Sequence, residues 1–334
     1  MALVFDRSLD VTYGVAQDIV GGLRRVVADN SGPYTFKGTA TFVIGRGEVA
    51  IVDPGPADEK HIDAIENALA VRGERVSHIL ITHTHPDHSP GAALLKERTG
   101  APTYGFGPHP IDAEASPETV SPETASSETA SSETVPRKTA SKDSVDEKSE
   151  DTGDRDFRPD IVVHHGDEIT GSGWRVEAVH TPGHLANHLC FALPAERLLF
   201  TGDHVMGWST SVISPPGGDL DDYLASLRLL LERPDRVYLP THGSPIERPH
   251  EFVRGLLAHR AQRTQQIIER IAGGAVTIPS IVTALYVGLD ERLVKAAGRS
   301  VLAHLVSLER RGDVVTVESS DPEPRYRLVG AVPS

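Results

Sequence analysis

Thr82-His83-Thr84-His85-Pro86-Asp87-His88 places three imidazoles and a carboxylate within six positions, directly after the apolar run Ile79-Leu80-Ile81. Imidazole nitrogen and carboxylate oxygen are ligands that suit zinc, and a short loop at the end of a strand can aim alternate side chains at two neighbouring ions. An expression tag would carry no Asp at a fixed place and would not follow a buried strand. The segment therefore reads as a metal site on a short loop at the end of a strand.

Short apolar runs separated by Gly-bearing loops surround it. Ala40–Ile44 and Glu48–Asp53 read as two strands of a hairpin joined by Gly45-Arg46-Gly47. Asp58–Leu69 sets Ile62, Ile65 and Leu69 on one helical face, and Val76–Ile81 returns as a buried strand. Arg175–Val179, Leu189–Leu193 and Arg197–Phe200 follow as further strands. The pattern predicts an α/β chain of sheets with flanking helices.

Residues 112–156 break this pattern with a near-tandem repeat of Ser, Glu, Thr and Pro. Such a composition cannot bury enough apolar surface to offset the entropy of ordering its backbone, so it reads as a disordered insertion. It also holds thirteen Asp or Glu against five Lys or Arg, a charge of −8 out of the chain's −14. The remainder is only mildly acidic.

After Pro249 the spacing turns helical, with Phe252, Leu256, Ile267 and Ile271 on one stripe. Ser280–Tyr286, Glu291–Ala297 and Ser300–Arg310 read as three helices, and Val314–Glu318 with Arg325–Val329 as a β-hairpin. This order predicts a winged helix. The expected domains are 1–248, with the insertion inside, and 249–334.

Three more polar spots complete the set: His184 in Thr181-Pro182-Gly183-His184, Asp203 in Thr201-Gly202-Asp203-His204, and His242 in Pro240-Thr241-His242-Gly243. Together with the first loop they resemble the metallo-β-lactamase-fold hydrolases over residues 35–245, the insertion excepted. The resemblance implies an αββα sandwich followed by the small winged-helix domain. It implies that His83, His85 and His184 hold one metal ion, that Asp87, His88 and His242 hold the second, and that Asp203 bridges them. Two Zn2+ per chain are expected. Asp53 matches the family's structural aspartate.

Two cations a few ångströms apart repel unless anions sit between them, and Asp203 supplies a fixed one. A hydroxide shared by the ions is then the nucleophile, and the metals polarise the substrate's carbonyl or phosphoryl oxygen. Asp87, Asp203 and His204 are the catalytic candidates, with His204 placed to protonate a leaving group or bond an oxyanion. His188 reads as a core histidine that could orient a ligand, and Cys190, the single cysteine, as a buried structural thiol. Ser209 and Ser211 lack a nucleophile-elbow pattern.

A bridging aspartate points away from true β-lactamases and towards the glyoxalase-II-like and nuclease-like branches. With its winged-helix tail the chain looks most like the beta-lactamase-like protein 2 group, which implies endonucleolytic cleavage of single-stranded RNA. Residues 275–334 nevertheless hold seven Lys or Arg and seven Asp or Glu, where a nucleic-acid reader usually shows a basic face. The tail could equally serve as a lid or make a homodimer. A small-molecule thioester, lactone or glyoxalase-II-like acyl hydrolase stays open, and an apolar pocket near Met206 and Trp208 would support it. So does a non-catalytic metal-sensing DNA-binding protein. A mononuclear iron oxygenase would be separated by metal content. With no apolar run of 18 residues and no secretory pattern at Met1–Arg7, a cytoplasmic chain without a membrane partner is expected.

Overall fold

Strands that are apolar at every position need cover on both faces, and here two sheets supply it to each other while helices cover their outer sides. The computed structural model describes residues 3–20, 22–110, 153–274, 276–317 and 323–330. The first sheet takes β1 (Gln17–Val20), β2 (Leu23–Val27), β3 (Ala40–Ile44), β4 (Glu48–Val52), β5 (Arg75–Leu80), β6 (Thr103–Gly105) and β7 (Ile161–Val162) in that spatial order. Its first four strands pair antiparallel. From β4 onward pairing is parallel, with α1 (Glu59–Ala70) and α2 (Gly91–Thr99) as crossovers. The second sheet holds β8 (Glu168–Gly171), β9 (Trp174–His180), β10 (Leu189–Leu193), β11 (Leu198–Gly202) and β12 (Val237–Pro240), with α3 (Leu220–Leu231) between the parallel pair β11 and β12.

The two-residue period of the strands sorts side chains between the layers. Phe42, Ala50, Val52 and Leu80 of the first sheet meet Ala178, Leu189, Phe191, Phe200 and Leu239 of the second. On the outer side, Val49, Ile51 and Ile79 pack on Ile62, Ile65 and Leu69 of α1 and Leu95 of α2. Cys190, Leu199 and Tyr238 pack on Tyr223, Leu227 and Leu230 of α3 and on Val253 and Leu256 of α4 (Pro249–Ala272). The layers are αββα, as the resemblance implies. β1 and β2 had no sequence signal, because Arg24 and Arg25 interrupt the apolar pattern. Arg24 is buried nonetheless, paired with Glu74 and donating to Gly45 O at 3.0 Å.

The tail has its own core. Ile267 and Ile271 of α4, Ile281 of α5 (Ile278–Leu285), Val301, Leu305 and Leu308 of α6 (Val294–Arg310), Val314 of β13 (Val314–Val317) and Tyr326 of β14 (Arg325–Leu328) pack together. One expectation is corrected here: Glu291–Ala297 and Ser300–Arg310 are not two helices. A 3-10 turn, Glu291–Leu293, runs straight into α6. Gly298 lies within that helix and costs about 1 kcal/mol relative to Ala, whereas each buried Val or Leu on the stripe contributes roughly 1.5–3 kcal/mol. Burial wins, and nothing in the packing requires glycine here, since a Cβ at Gly298 would make an ordinary contact 3.5 Å from Ile278 Cγ2.

The expected disordered insertion lies outside the described residues up to position 152. Its last four residues, 153–156, are corrected, because they are built into the fold. Asp154 donates its amide to Thr84 O at 2.8 Å and accepts from Ser89 Oγ at 2.7 Å, beside the His-rich loop.

Candidate metal centre

All the expected ligands lie in loops at one end of the two sheets. His83, His85, Asp87 and His88 follow β5, His184 follows β9, Asp203 follows β11 and His242 follows β12. Two glycines allow the close approach. Gly183 has φ +136°, and a Cβ there would lie 2.3 Å from Tyr223 Cα; Gly202 has φ +49°, and a Cβ would lie 2.5 Å from His188 Nε2. Larger residues would push His184 and Asp203 out of place.

The structure brings the seven residues together. His83, His85 and His184 converge as one group, Asp87, His88 and His242 as another, and His83, His88 and Asp203 as a third between them. Asp203 Oδ2 stands 3.9 Å from His184 Nε2 and 3.6 Å from His88 Nε2, while its Oδ1 stands 3.4 Å from His242 Nε2. One carboxylate thus reaches both outer groups.

Hydrogen bonds at the far side of each ring fix which nitrogen faces inward. His184 Nδ1 donates to Val212 O at 2.6 Å, and His242 Nδ1 to Gly38 O at 3.2 Å. His88 Nδ1 donates to Asp53 Oδ2 at 2.9 Å. Thr82 Oγ1 gives its proton to Asp53 Oδ2 at 2.7 Å, which leaves it to accept from His83 Nδ1 at 3.0 Å. When the rings are neutral, Nε2 of each then presents a lone pair. Asp53, in the left-handed region at φ +49°, also accepts from Thr82 N at 2.8 Å and from Thr241 Oγ1 at 3.3 Å, and so ties three loops together. Thr39 Oγ1 donates to Asp87 Oδ2 at 3.0 Å, a support with no sequence signal.

These lone pairs point at one another. His83 Nε2 and His184 Nε2 each lie 2.9 Å from His85 Nδ1, which can donate to only one of them, and His88 Nε2 and Asp203 Oδ1 are buried with no hydrogen-bond partner. Buried polar atoms without partners are rare unless a ligand takes them. Burial, followed by the neighbouring imidazoles, holds His83 well below the usual histidine range. Burial likewise lowers His85 and His184. His242 behaves oppositely: against the cost of burial, Asp203 and Asp87 push it up to about 10. His88 is also raised, burial being outweighed by Asp87, Asp203 and Asp53. The buried carboxylates make a negative field that draws protons onto His88 and His242, which a cation would displace, so the donor set fits divalent cations.

The other candidates are placed as follows. His204 is fully buried, with its ring 4.7 Å from that of Tyr223 and neither nitrogen hydrogen-bonded, so it is closed to solvent in this structure. His188 is a satisfied core histidine that also positions a neighbour, bonded to Thr181 Oγ1 at 2.9 Å and accepting from Asp203 N at 3.3 Å. Ser211 Oγ donates to Asp203 O at 2.6 Å. Cys190 is buried against Thr181, and burial pushes its thiol up to about 12.

Beside His184 and Asp203 opens a cavity of about 580 Å³ lined by Phe36, Met206, Trp208, Val212, Leu293 and Ala296 among others, with Arg7 and Arg292 also contributing. Phe36, at φ +55°, stacks on Trp208 with ring centroids 4.9 Å apart. Among the described residues no helix is long and apolar enough to cross a membrane.

Comparison with known proteins agrees with this geometry. Residues 34–242 match the metallo-beta-lactamase superfamily and residues 277–321 the beta-lactamase associated winged helix domain. The chain is 27% identical to the atrochrysone carboxyl ACP thioesterase of Aspergillus terreus over 93% of this chain and 86% of that protein. It is 28% identical to the beta-lactamase-like protein 2 homolog of Drosophila melanogaster over 90% of this chain and 91% of that protein. A beta-lactamase domain protein from Burkholderia ambifaria has the same fold at TM-score 0.73 and 19% identity, covering 97% of both chains. A metallo-beta-lactamase family protein from Thermus thermophilus superposes at TM-score 0.69 and 23% identity, covering 92% of this chain and 98% of that one.

Proposed function

The chain belongs to the metallo-beta-lactamase superfamily, and on that premise we propose that it is a metal-dependent hydrolase of small-molecule acyl thioesters. The observation that carries this reading is the cavity beside Asp203, whose wall joins an apolar stretch, Phe36, Met206, Trp208 and Leu293, to the polar groups of Arg7, Ser209 and Arg292. The apolar stretch suits an acyl group, with the few polar groups left to orient it. The likeness to a protein named as an ACP thioesterase supports the same class.

His83, His85 and His184 would hold one ion, Asp87, His88 and His242 a second, and Asp203 would face both. Zinc suits these donors. Bound there, the ions would acidify a water molecule and polarise the acyl carbonyl. Asp53, Val212 O and Gly38 O keep the imidazoles turned inward, while His188 and Ser211 hold the backbone of Asp203. Asp87, the more exposed of the two central carboxylates, would accept the proton that the water loses. A C–O bond forms and the C–S bond breaks. Thiols ionise at about pH 8.5, so a thiolate leaves without a proton donor, consistent with the burial of His204.

The tail gives no support to nucleic-acid reading. In a helix-turn-helix the second helix enters the groove, which here would be α6. Ala303 of α6 packs with the apolar residues of α3 and α4 against the second sheet, Ser307 is bound to Asp221 of α3, and Arg310 to Asp219, which caps that helix. The RNA and DNA expectations, and a homodimer, are not favoured. The decisive assay offers the zinc-loaded protein acyl thioesters, lactones and single-stranded RNA at equal enzyme concentration. Thioester turnover abolished by chelation is expected; RNA cleavage without thioester turnover would overturn the proposal.

A further inference from the structure

The cavity beside Asp203 borrows a wall from the C-terminal unit. Leu293 ends the 3-10 turn and Ala296 lies in the first turn of α6, and both line the cavity. The turn is pinned at its start, where Asp290 Oδ1 accepts from Arg292 N at 3.0 Å and the carboxylate pairs with the Arg292 guanidinium at 2.7 Å.

The rest of α6 is fastened to the sandwich. Arg299 Nη1 donates to Ser214 Oγ at 3.0 Å and Ser307 Oγ to Asp221 Oδ1 at 2.6 Å, while Arg310 pairs with Asp219. From behind, the buried Arg260 of α4 donates to Ser211 O and reaches Ser300 Oγ of α6 at 3.5 Å. Two of these anchors, Arg299 and Arg260, meet on residues 211–214, the loop whose Val212 O orients His184 and whose Ser211 Oγ holds Asp203 O. The wall therefore stands at a set distance from the reacting centre, and every apolar group it shelters from water raises kcat/KM.

We propose that Leu293 and Ala296 make the C-terminal unit the acyl-selectivity element of this hydrolase, favouring large apolar acyl groups over acetyl. The proposal rests on the thioesterase reading. It is tested with the full-length zinc-loaded protein on acetyl and decanoyl thioesters of N-acetylcysteamine. Ala296→Trp fills the cavity and should lower the decanoyl-to-acetyl ratio of kcat/KM at least tenfold; Leu293→Ala removes apolar cover and should lower it about threefold. Should Ala296→Trp fail to fold, Leu293→Ala carries the test. An unchanged ratio in folded variants would overturn the proposal.

A second readout needs no turnover. Decanoate binding to the metal-free chain should quench tryptophan fluorescence, and Ala296→Trp, with its own baseline subtracted, should weaken that affinity at least tenfold. If wild type hydrolyses no thioester yet binds decanoate and the variant does not, the thioesterase reading falls and the wall stands. Equal decanoate affinity in both proteins would overturn the wall.

Discussion

Asp53 Oδ2 and His88 Nδ1 stand 2.9 Å apart, both side chains fully buried. Asp53→Asn keeps an acceptor for Thr82 N but can turn an amide N–H towards His88 Nδ1. That would force the other tautomer and protonate Nε2, the atom aimed at Asp87 and Asp203. The loss expected is about 10- to 100-fold in metal affinity, measured by competition with a chromophoric chelator. Wild-type affinity would show that Asp53 does not set the tautomer.

Asp203→Asn should cost on the order of a hundredfold or more in turnover, because an amide cannot supply the charge that faces both groups of histidines. His204→Phe should cost less than tenfold, since this ring is shielded and makes no hydrogen bond. Kinetics at matched metal content decides between them. Equal losses would put His204 back at the reacting centre.

Burial holds His61 down to about 4, opposed only in part by Asp58. Its folded pKa lies below the unfolded value of about 6.5, so the unfolded chain takes the proton first. The contribution is therefore complete above about pH 6.5 and is lost as the pH falls towards 4, roughly 3 kcal/mol across that window. His61→Gln can keep the bond to Thr41 Oγ1 without titrating. Denaturant unfolding at pH 7 and pH 4.5 should show a smaller acid loss in the variant; parallel losses would contradict it.

Much of the site was legible because metal chemistry dictates residue type: His83, His85, Asp87, His88, His184, Asp203 and His242 stand where strands end, and the loops bring them together. What supports them was not. Val212 and Gly38 act through backbone carbonyls, which any residue has, and Thr39 looks like any strand-edge threonine. Arg24 reads as a surface residue until Glu74 and Gly45 O enclose it. The wall made by Leu293 and Ala296 depends on how α6 docks on α3, a contact between distant parts of the chain with no local pattern.

Removing residues 113–156 should destabilise the protein more than removing 113–152, because only the longer deletion takes Asp154 and its bonds to Thr84 O and Ser89 Oγ. Two such bonds correspond to a difference of about 5 °C in Tm. Scanning calorimetry of both deletions measures it, and identical melting would mean that Asp154 anchors nothing.

The most direct test of the centre is elemental analysis of the purified protein together with His242→Ala. Two divalent ions per chain are expected, zinc foremost, with about one remaining in the variant, because His242 belongs to only one of the two outer groups. A single equivalent of iron without zinc, or a stoichiometry that His242→Ala leaves unchanged, would contradict the two-ion account.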